Sequence, residues 1–224
     1  MDAPTSPRLE IAPVRAVDAD ALAAVAGLHV RLLPHGIGQL GPGFLLDFLY
    51  RPGLRRGGLH VGVARIDAAA AGFVTFTTEA DTYAGAGLTA QLPTAILALS
   101  KSAVRDPRVL RAAWQLLRKS GERADGIVGS VDSEILAFGV LPEYRSGQFV
   151  RSTGIRLSRA LFDHAAVRLL ELGHTQVQAN VEADNLATLQ FYRFLGGRFA
   201  SMPPGHPLQR VTVDLRSLGS PSSP

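Results

Sequence analysis

The sequence predicts an α/β fold in a single domain spanning residues 8–217. Three observations carry that reading. Short runs rich in Val, Ile and Phe recur at strand length, amphipathic runs of helix length fall between them, and Gly or Pro stands at most junctions. With 224 residues, 46% of them hydrophobic, the chain can bury one substantial core.

Leu9 to Val14 alternates and reads as a first strand, which Pro13 assigns to a sheet edge. Asp18 then opens a helix whose apolar face is Leu22, Val25, Leu28 and Leu32, and Pro34 stops it. His35 to Gly43 holds four glycines and a proline, so it reads as a loop. Phe44 to Tyr50 is a second short helix, ended by Pro52-Gly53. Leu59–Ile66 and Gly72–Thr77 form a hairpin. Leu92 to Val104 and Asp106 to Lys119 read as two helices, the second opened by Asp106-Pro107.

A connection over Gly121 to Gly129 leads to a strand at Val131–Val140, terminated before Pro142. A helix follows from about Gly154 to Leu172, with Leu157, Leu161, Ala165 and Leu169 on one face and Gly173 as its stop. Val177–Val181 is a strand and Asn185–Leu195 a helix. Phe199–Met202 and Leu208–Leu215 close the domain as a strand pair. Residues 1–7 and 218–224 are Pro/Ser-rich and read as disordered tails.

Composition narrows the function classes. The chain has no cysteine, which excludes a disulfide framework, a thiolate metal site and a cysteine acyl-enzyme. That suits a reducing compartment. The N-terminus lacks a basic start followed by an apolar run, and no stretch is apolar enough to span a bilayer, so a soluble cytoplasmic protein is expected. Net charge is +4, and Lys101 and Lys119 are the only lysines. A GC-rich coding sequence explains that Arg bias more simply than phosphate recognition does. Dense basic runs with interleaved aromatics are missing, so no nucleic-acid partner is expected. Nor does any paired His or carboxylate spacing argue for a metal.

The chemistry concentrates in residues 134–199. A strand ends in Val140-Leu-Pro142-Glu-Tyr-Arg145, a stretch rich in Arg, Ser, Thr and Gly leads into a helix, and after the next strand comes Asn185 with Tyr192 and Gly196 behind it. A strand feeding such a loop at a helix start is a general way to hold phosphates, because unpaired backbone N–H groups and the helix dipole both favour anions. In this order and spacing the motifs resemble the GNAT superfamily of acyl-CoA-dependent N-acetyltransferases. The resemblance is close over about a third of the chain, and elsewhere rests on the order of elements.

The resemblance implies a mixed, mostly antiparallel central sheet flanked by helices, with the two-helix piece inserted between the third and fourth strands. It implies acetyl-CoA as cosubstrate. Phe138, Val140 and Leu141 then belong to a splayed strand whose backbone pairs with pantetheine. The pyrophosphate loop of the family, Q/R-x-x-G-x-G/A, is matched by Arg151, Ser152, Thr153 and Gly154, followed by Ile155 and by Arg156 where Gly or Ala is usual. A second register, starting at Arg145, keeps the usual distance from Pro142 but brings Gly147 one position early. Asn185 corresponds to a cofactor-contacting residue.

Direct transfer to an amine requires a base for the amine proton and an acid for the departing thiolate. Tyr192, two helical turns beyond Asn185, matches the family's tyrosine acid. Its plain alternative is core packing beside Phe191 and Phe194. Glu134, six residues before Val140, stands where several members place a general base; its alternative is a strand-edge carboxylate or ion-pair partner. Asp132 is the reserve. His29 and His35 flank the turn where the family builds part of its acceptor pocket, and Glu79 and Asp81 could attract a cationic acceptor, although each also reads as an ordinary polar residue.

The expected function is transfer of an acetyl group from acetyl-CoA to a small-molecule or peptide amine, with no membrane partner and with a homodimer left open. Two other readings stay open: a non-catalytic acyl-CoA-binding module on the same fold, and an adaptor docking through the insertion, where Trp114, Leu116 and Leu117 lie.

Overall fold

The computed structural model describes residues 7–83, 131–203 and 205–219. The insertion expected at Leu92–Lys119, the connection after it and most of both expected tails lie outside the described residues.

The strands are β1 (Leu9–Pro13), β2 (Leu59–Ile66), β3 (Ala69–Thr77), β4 (Glu134–Val140), β5 (Gln176–Glu182), β6 (Arg198–Phe199) and β7 (Leu208–Asp214). They make one sheet in the order β1-β2-β3-β4-β5-β7-β6. Every neighbouring pair is antiparallel except β4–β5, which is parallel. The mixed, mostly antiparallel sheet is the one expected. Pro13 does occupy an edge strand, where its missing N–H costs no ladder bond.

Two apolar layers sandwich the sheet. On one face α1 (Ala19–Leu32) and the helical stretch after it cover Leu59, Val61, Val63, Phe73 and Ala137. On the other, the long helix Leu157–Glu171 and the shorter Leu186–Phe194 cover Val74, Phe76, Ile135, Val140 and the β5 and β7 residues Val177, Ala179, Val211 and Val213. Leu157, Leu161, Ala165 and Leu169 all face this layer, as their spacing predicts.

The sequence reading departs from the structure in five places. Asp18 does not cap α1; its carboxylate accepts from the Arg15 backbone N–H and closes the preceding turn. His35–Gly43 is not an open loop. A 3-10 turn occupies Gly36–Leu40, and α2 begins at Gly41 (Gly41–Phe44). The helix also runs on through Pro52, as a π-helical segment Leu45–Tyr50 followed by α3 (Arg51–Arg56), and it ends at Gly57 with φ 85°. A proline ring clashes with the carbonyl one α-turn back, and the wider π turn just before Pro52 makes room for it.

The stretch after β4 is helical as well: α5 (Pro142–Arg145) and α6 (Gly147–Thr153), the latter capped by the Ser146 hydroxyl accepting from Phe149 N–H at 3.2 Å. With the short α4 at Ala80–Tyr83, the helices of the second face are α7 (Leu157–Glu171) and α8 (Leu186–Phe194). Finally, β4 starts at Glu134 and not at Val131. Ser133 and Asp132 are drawn off by other contacts, Ser133 Oγ donating to Gln176 O and Asp132 O accepting from Ala80 N–H.

Two irregularities of β4 shape everything that follows. Thr75 pairs with Ala137 but Phe76 with Ile135, so Leu136 is an extra residue, a β-bulge. It shifts the two-residue alternation by one: Ile135, Phe138 and Val140 belong to the α7–α8 layer, while Ala137 and Leu141 belong to the α1 layer. In addition, β4 and β5 share only the rungs Glu134–Gln178 and Ile135–Ala179 and then part.

Candidate active site

Where β4 and β5 part, a cleft of about 530 Å³ opens through the sheet. Ile135 to Phe138 form one wall and Ala179 to Glu182 the other. Leu32, Pro34, His35 and Gln39, from the end of α1 and the 3-10 turn, close one side of it. Asn185, Thr188 and Tyr192 of the α8 region form the floor. Leu141 N–H donates to Ala71 O of β3 at 2.9 Å, so by strand alternation the N–H groups of Val140 and Phe138 are directed away from β3, toward the gap.

Glu134 is buried just behind the closed end of the cleft, next to Ile135. Its carboxylate accepts from Asn180 Nδ2 at 2.8 Å and from Gln178 Nε2 at 3.2 Å. Burial raises its pKa above the ordinary carboxylate range, and the two amides and the Arg210 charge offset part of that rise. Tyr192 is buried at the cleft floor. Desolvation pushes its phenol well above the usual value, and the nearby Glu134 charge pushes it further the same way. The phenol therefore keeps its proton at any physiological pH.

A second, smaller cavity of about 250 Å³ lies behind this one, at the start of α7. Arg145, Arg156 and Arg159 bring guanidinium groups to it, Arg159 with its Nε held by the Asp163 carboxylate at 2.8 Å, and Tyr144, Phe191 and Phe194 bring aromatic faces, Phe194 being 67% exposed. No side chain caps α7, so its first N–H groups remain available. Phe138 stacks on Phe191 between the two cavities.

Of the candidate residues, the structure gathers Phe138, Asn185 and Tyr192 into the cleft with Glu134 behind it, and Arg145 and Arg156 into the basic cavity. Gly154 ends α6 in a left-handed turn (φ 73°) and, with Ile155 and Arg156, leads directly into α7. Ser152 and Thr153 spend their hydroxyls on Phe149 O. The Arg151 guanidinium lies back over Gly147 and lines neither cavity. Asn185 Oδ1 caps α8 by accepting from Thr188 N–H. His35 lines the cleft, whereas His29 is buried in the α1 layer, bonded through Nδ1 to the Tyr50 hydroxyl at 2.6 Å. Glu79 and Asp81 line neither cavity.

The sequence reading missed Gln178, Asn180 and Arg210, which depend on strand register, and the aromatic and basic set Tyr144, Arg159, Phe191 and Phe194. Arg159 and Phe194 flank recognised motifs and were within its reach.

No known family model matches the sequence, and no curated protein matches it. Solved structures do. SsHAT superposes with a TM-score of 0.59 at 17% identity, over 93% of this chain and 99% of its own. A GNAT-family protein from Desulfovibrio desulfuricans gives 0.53 at 12%, over 92% and 99%. The fold is that of the GNAT superfamily. The PaiA N-acetyltransferase of Thermoplasma acidophilum, solved with coenzyme A, gives 0.51 at 12%, over 92% and 99%. At these identities the likeness to GNAT structures speaks for architecture alone, and the site has to be argued from its own residues.

Proposed function

We propose that the protein is an acyl-CoA-dependent N-acyltransferase that moves an acetyl group from acetyl-CoA to a primary amine in a direct, ternary-complex reaction. The observation that carries this reading is the parting of β4 and β5 over Tyr192, with a buried carboxylate behind the closed end of the gap, bonded to the cleft-lining Asn180.

The residues present fit the cosubstrate. The uncapped start of α7 and the guanidinium groups of Arg145, Arg156 and Arg159 suit a pyrophosphate, and the exposed Phe194 ring offers a face for a base. The free edge of β4 at Phe138 and Val140 suits the amides of pantetheine. When bound, acetyl-CoA supplies an activated thioester carbonyl. The chain does the rest. Val140 N–H is aimed to polarise a carbonyl oxygen in the gap. Glu134 takes the amine proton, its raised pKa making it a better base than an exposed carboxylate. Tyr192 keeps its proton and can donate a hydrogen bond to the departing thiolate, stabilising its charge; the thiol is the stronger acid of the two, so the thiolate can leave as the anion and take its proton from solvent. Asn185 and Thr188 border the path between floor and mouth.

The test is calorimetric titration with acetyl-CoA, followed by thiol release with a panel of amines. Binding that weakens in Arg156→Ala, with turnover lost in Tyr192→Phe, is expected. Binding without turnover of any amine would leave an acyl-CoA-binding module, and no binding at all would refute both.

A further inference from the structure

Glu134 is held by an array that crosses three strands. On β5, Asn180 is the first residue beyond the last rung shared with β4, and its amide reaches back across the gap to Glu134 Oε1 at 2.8 Å. On β7, Arg210 stands opposite Asn180 in register and donates through Nε to Asn180 Oδ1 at 3.4 Å. That contact orients the amide: with Oδ1 turned to a guanidinium, Nδ2 must face the carboxylate. Gln178, opposite Glu134, donates to the other carboxylate oxygen, and its own Oε1 is buried with no hydrogen-bond partner. Of Glu134 and its three partners, Asn180 is the one that lines the cleft.

We propose that Asn180 is a positioning residue for the reaction assigned above: its amide, oriented by Arg210, fixes the Glu134 carboxylate behind the closed end of the cleft and couples it to the Arg210 charge. The inference rests on that assignment for its chemistry and on the array for its geometry. Among the described residues, the titratable or charged groups facing Glu134 are Tyr192 from α8 and Arg210 from β7. β5 contributes the two neutral amides, and β3 contributes Thr77, whose hydroxyl is committed to Gly58 O. Neutral amides between a carboxylate and a guanidinium transmit charge by polarisation along the hydrogen-bonded chain. Removing the middle member should therefore weaken the influence of the far one, leaving only the direct attraction of its charge.

The experiment is titration of the Glu134 carboxyl by carbon NMR in the ligand-free protein, with the signal assigned by Glu134→Gln. Wild type, Asn180→Leu, Arg210→Met and the double variant form a cycle. Asn180→Leu should move the Glu134 midpoint up by about one pH unit. Arg210→Met should move it up in the wild-type background and by a smaller amount in Asn180→Leu. Should Asn180→Leu fail to fold, Asn180→Ser serves in its place, and Arg210→Lys, which keeps the charge but not the Nε donor, should restore only part of the coupling. In turnover assays Asn180→Leu should lower kcat with the KM for acetyl-CoA unchanged, and the acidic limb of its pH profile should follow the NMR midpoint. A midpoint indifferent to Asn180, or an Arg210 effect of equal size in both backgrounds, overturns the positioning role while leaving the acyltransferase reading intact. A wild-type protein that binds no acyl-CoA overturns the reaction itself, whatever the titration shows.

Discussion

Phe138 and Phe191 stack with ring centroids 5.6 Å apart and planes 17° from parallel, one ring lining the cleft and the other the basic cavity. Phe191 also meets Phe162 and Tyr192 edge-on at 6.0 and 5.6 Å. It thus locks the α8 floor to the sheet. Phe191→Ala should cost about 3 kcal/mol of folding stability and weaken acetyl-CoA binding, whereas Phe191→Leu should keep most of both. Urea unfolding and calorimetry check the pair.

Tyr192→Phe leaves the packing of a buried ring and removes only the hydroxyl. The expected outcome is a loss of kcat on the order of 10²-fold with an unchanged acetyl-CoA Kd. An equal loss in Kd would assign Tyr192 to binding.

The pH profile should be one-sided. Glu134 has a raised pKa, so its carboxylate fraction grows with pH through a midpoint above the ordinary carboxylate range, and kcat/KM should rise there. Tyr192 titrates too high to give a falling limb below about pH 10. Glu134→Gln should remove the rising limb along with most of the rate.

Stability should fall in mild acid because of His29. Burial lowers its pKa from 6.5 to about 4, so between those values the unfolded chain binds a proton that the folded chain does not. Stability from this source is complete above pH 6.5 and is lost as pH drops toward 4, by about 3 kcal/mol. His60 and His164, also lowered by burial, act in the same direction. The double variant His29→Leu/Tyr50→Phe, which removes both members of the buried hydrogen bond, should flatten the dependence of the thermal midpoint on pH.

Gly38 is a steric necessity: a Cβ there would lie 2.1 Å from the Leu33 carbonyl oxygen. Gly38→Ala should displace the 3-10 turn that carries the cleft wall, raising the KM for the amine more than that for acetyl-CoA. Steady-state kinetics with each substrate varied in turn measure both.

What could be read from the sequence divides along physical lines. Leu59–Ile66, with its β-branched and apolar run, and Leu157–Leu169, with its helical spacing, declare themselves through local periodicity. Asn185 and Tyr192 were named from the resemblance to the family's motif, and their seven-residue spacing, about two helical turns, sets both toward one face of α8. Leu136 could not be found, because a bulge is defined by the partner strand: Thr75 and Phe76 oppose Ala137 and Ile135. Asn180 and Arg210 looked like ordinary alternating polar residues until the β5–β7 register set them side by side. The helices at Pro142–Thr153 were hidden by their composition, since Arg, Ser and Gly suggest a loop and only the Ser146 cap reveals otherwise.

The two-rung seam between β4 and β5 has a thermodynamic side. The sheet is continuous in its order but nearly cut in two, and among the described residues the amides along the parted edges of β4 and β5 have no strand to bond. A donor whose own amides lay along β4 would complete the ladder from outside, acting as a detachable strand. Occupancy of the cleft and consolidation of the sheet would then be one event. Amide hydrogen exchange at Phe138 and Val140 should slow when acyl-CoA is added, and the melting temperature should climb with its concentration.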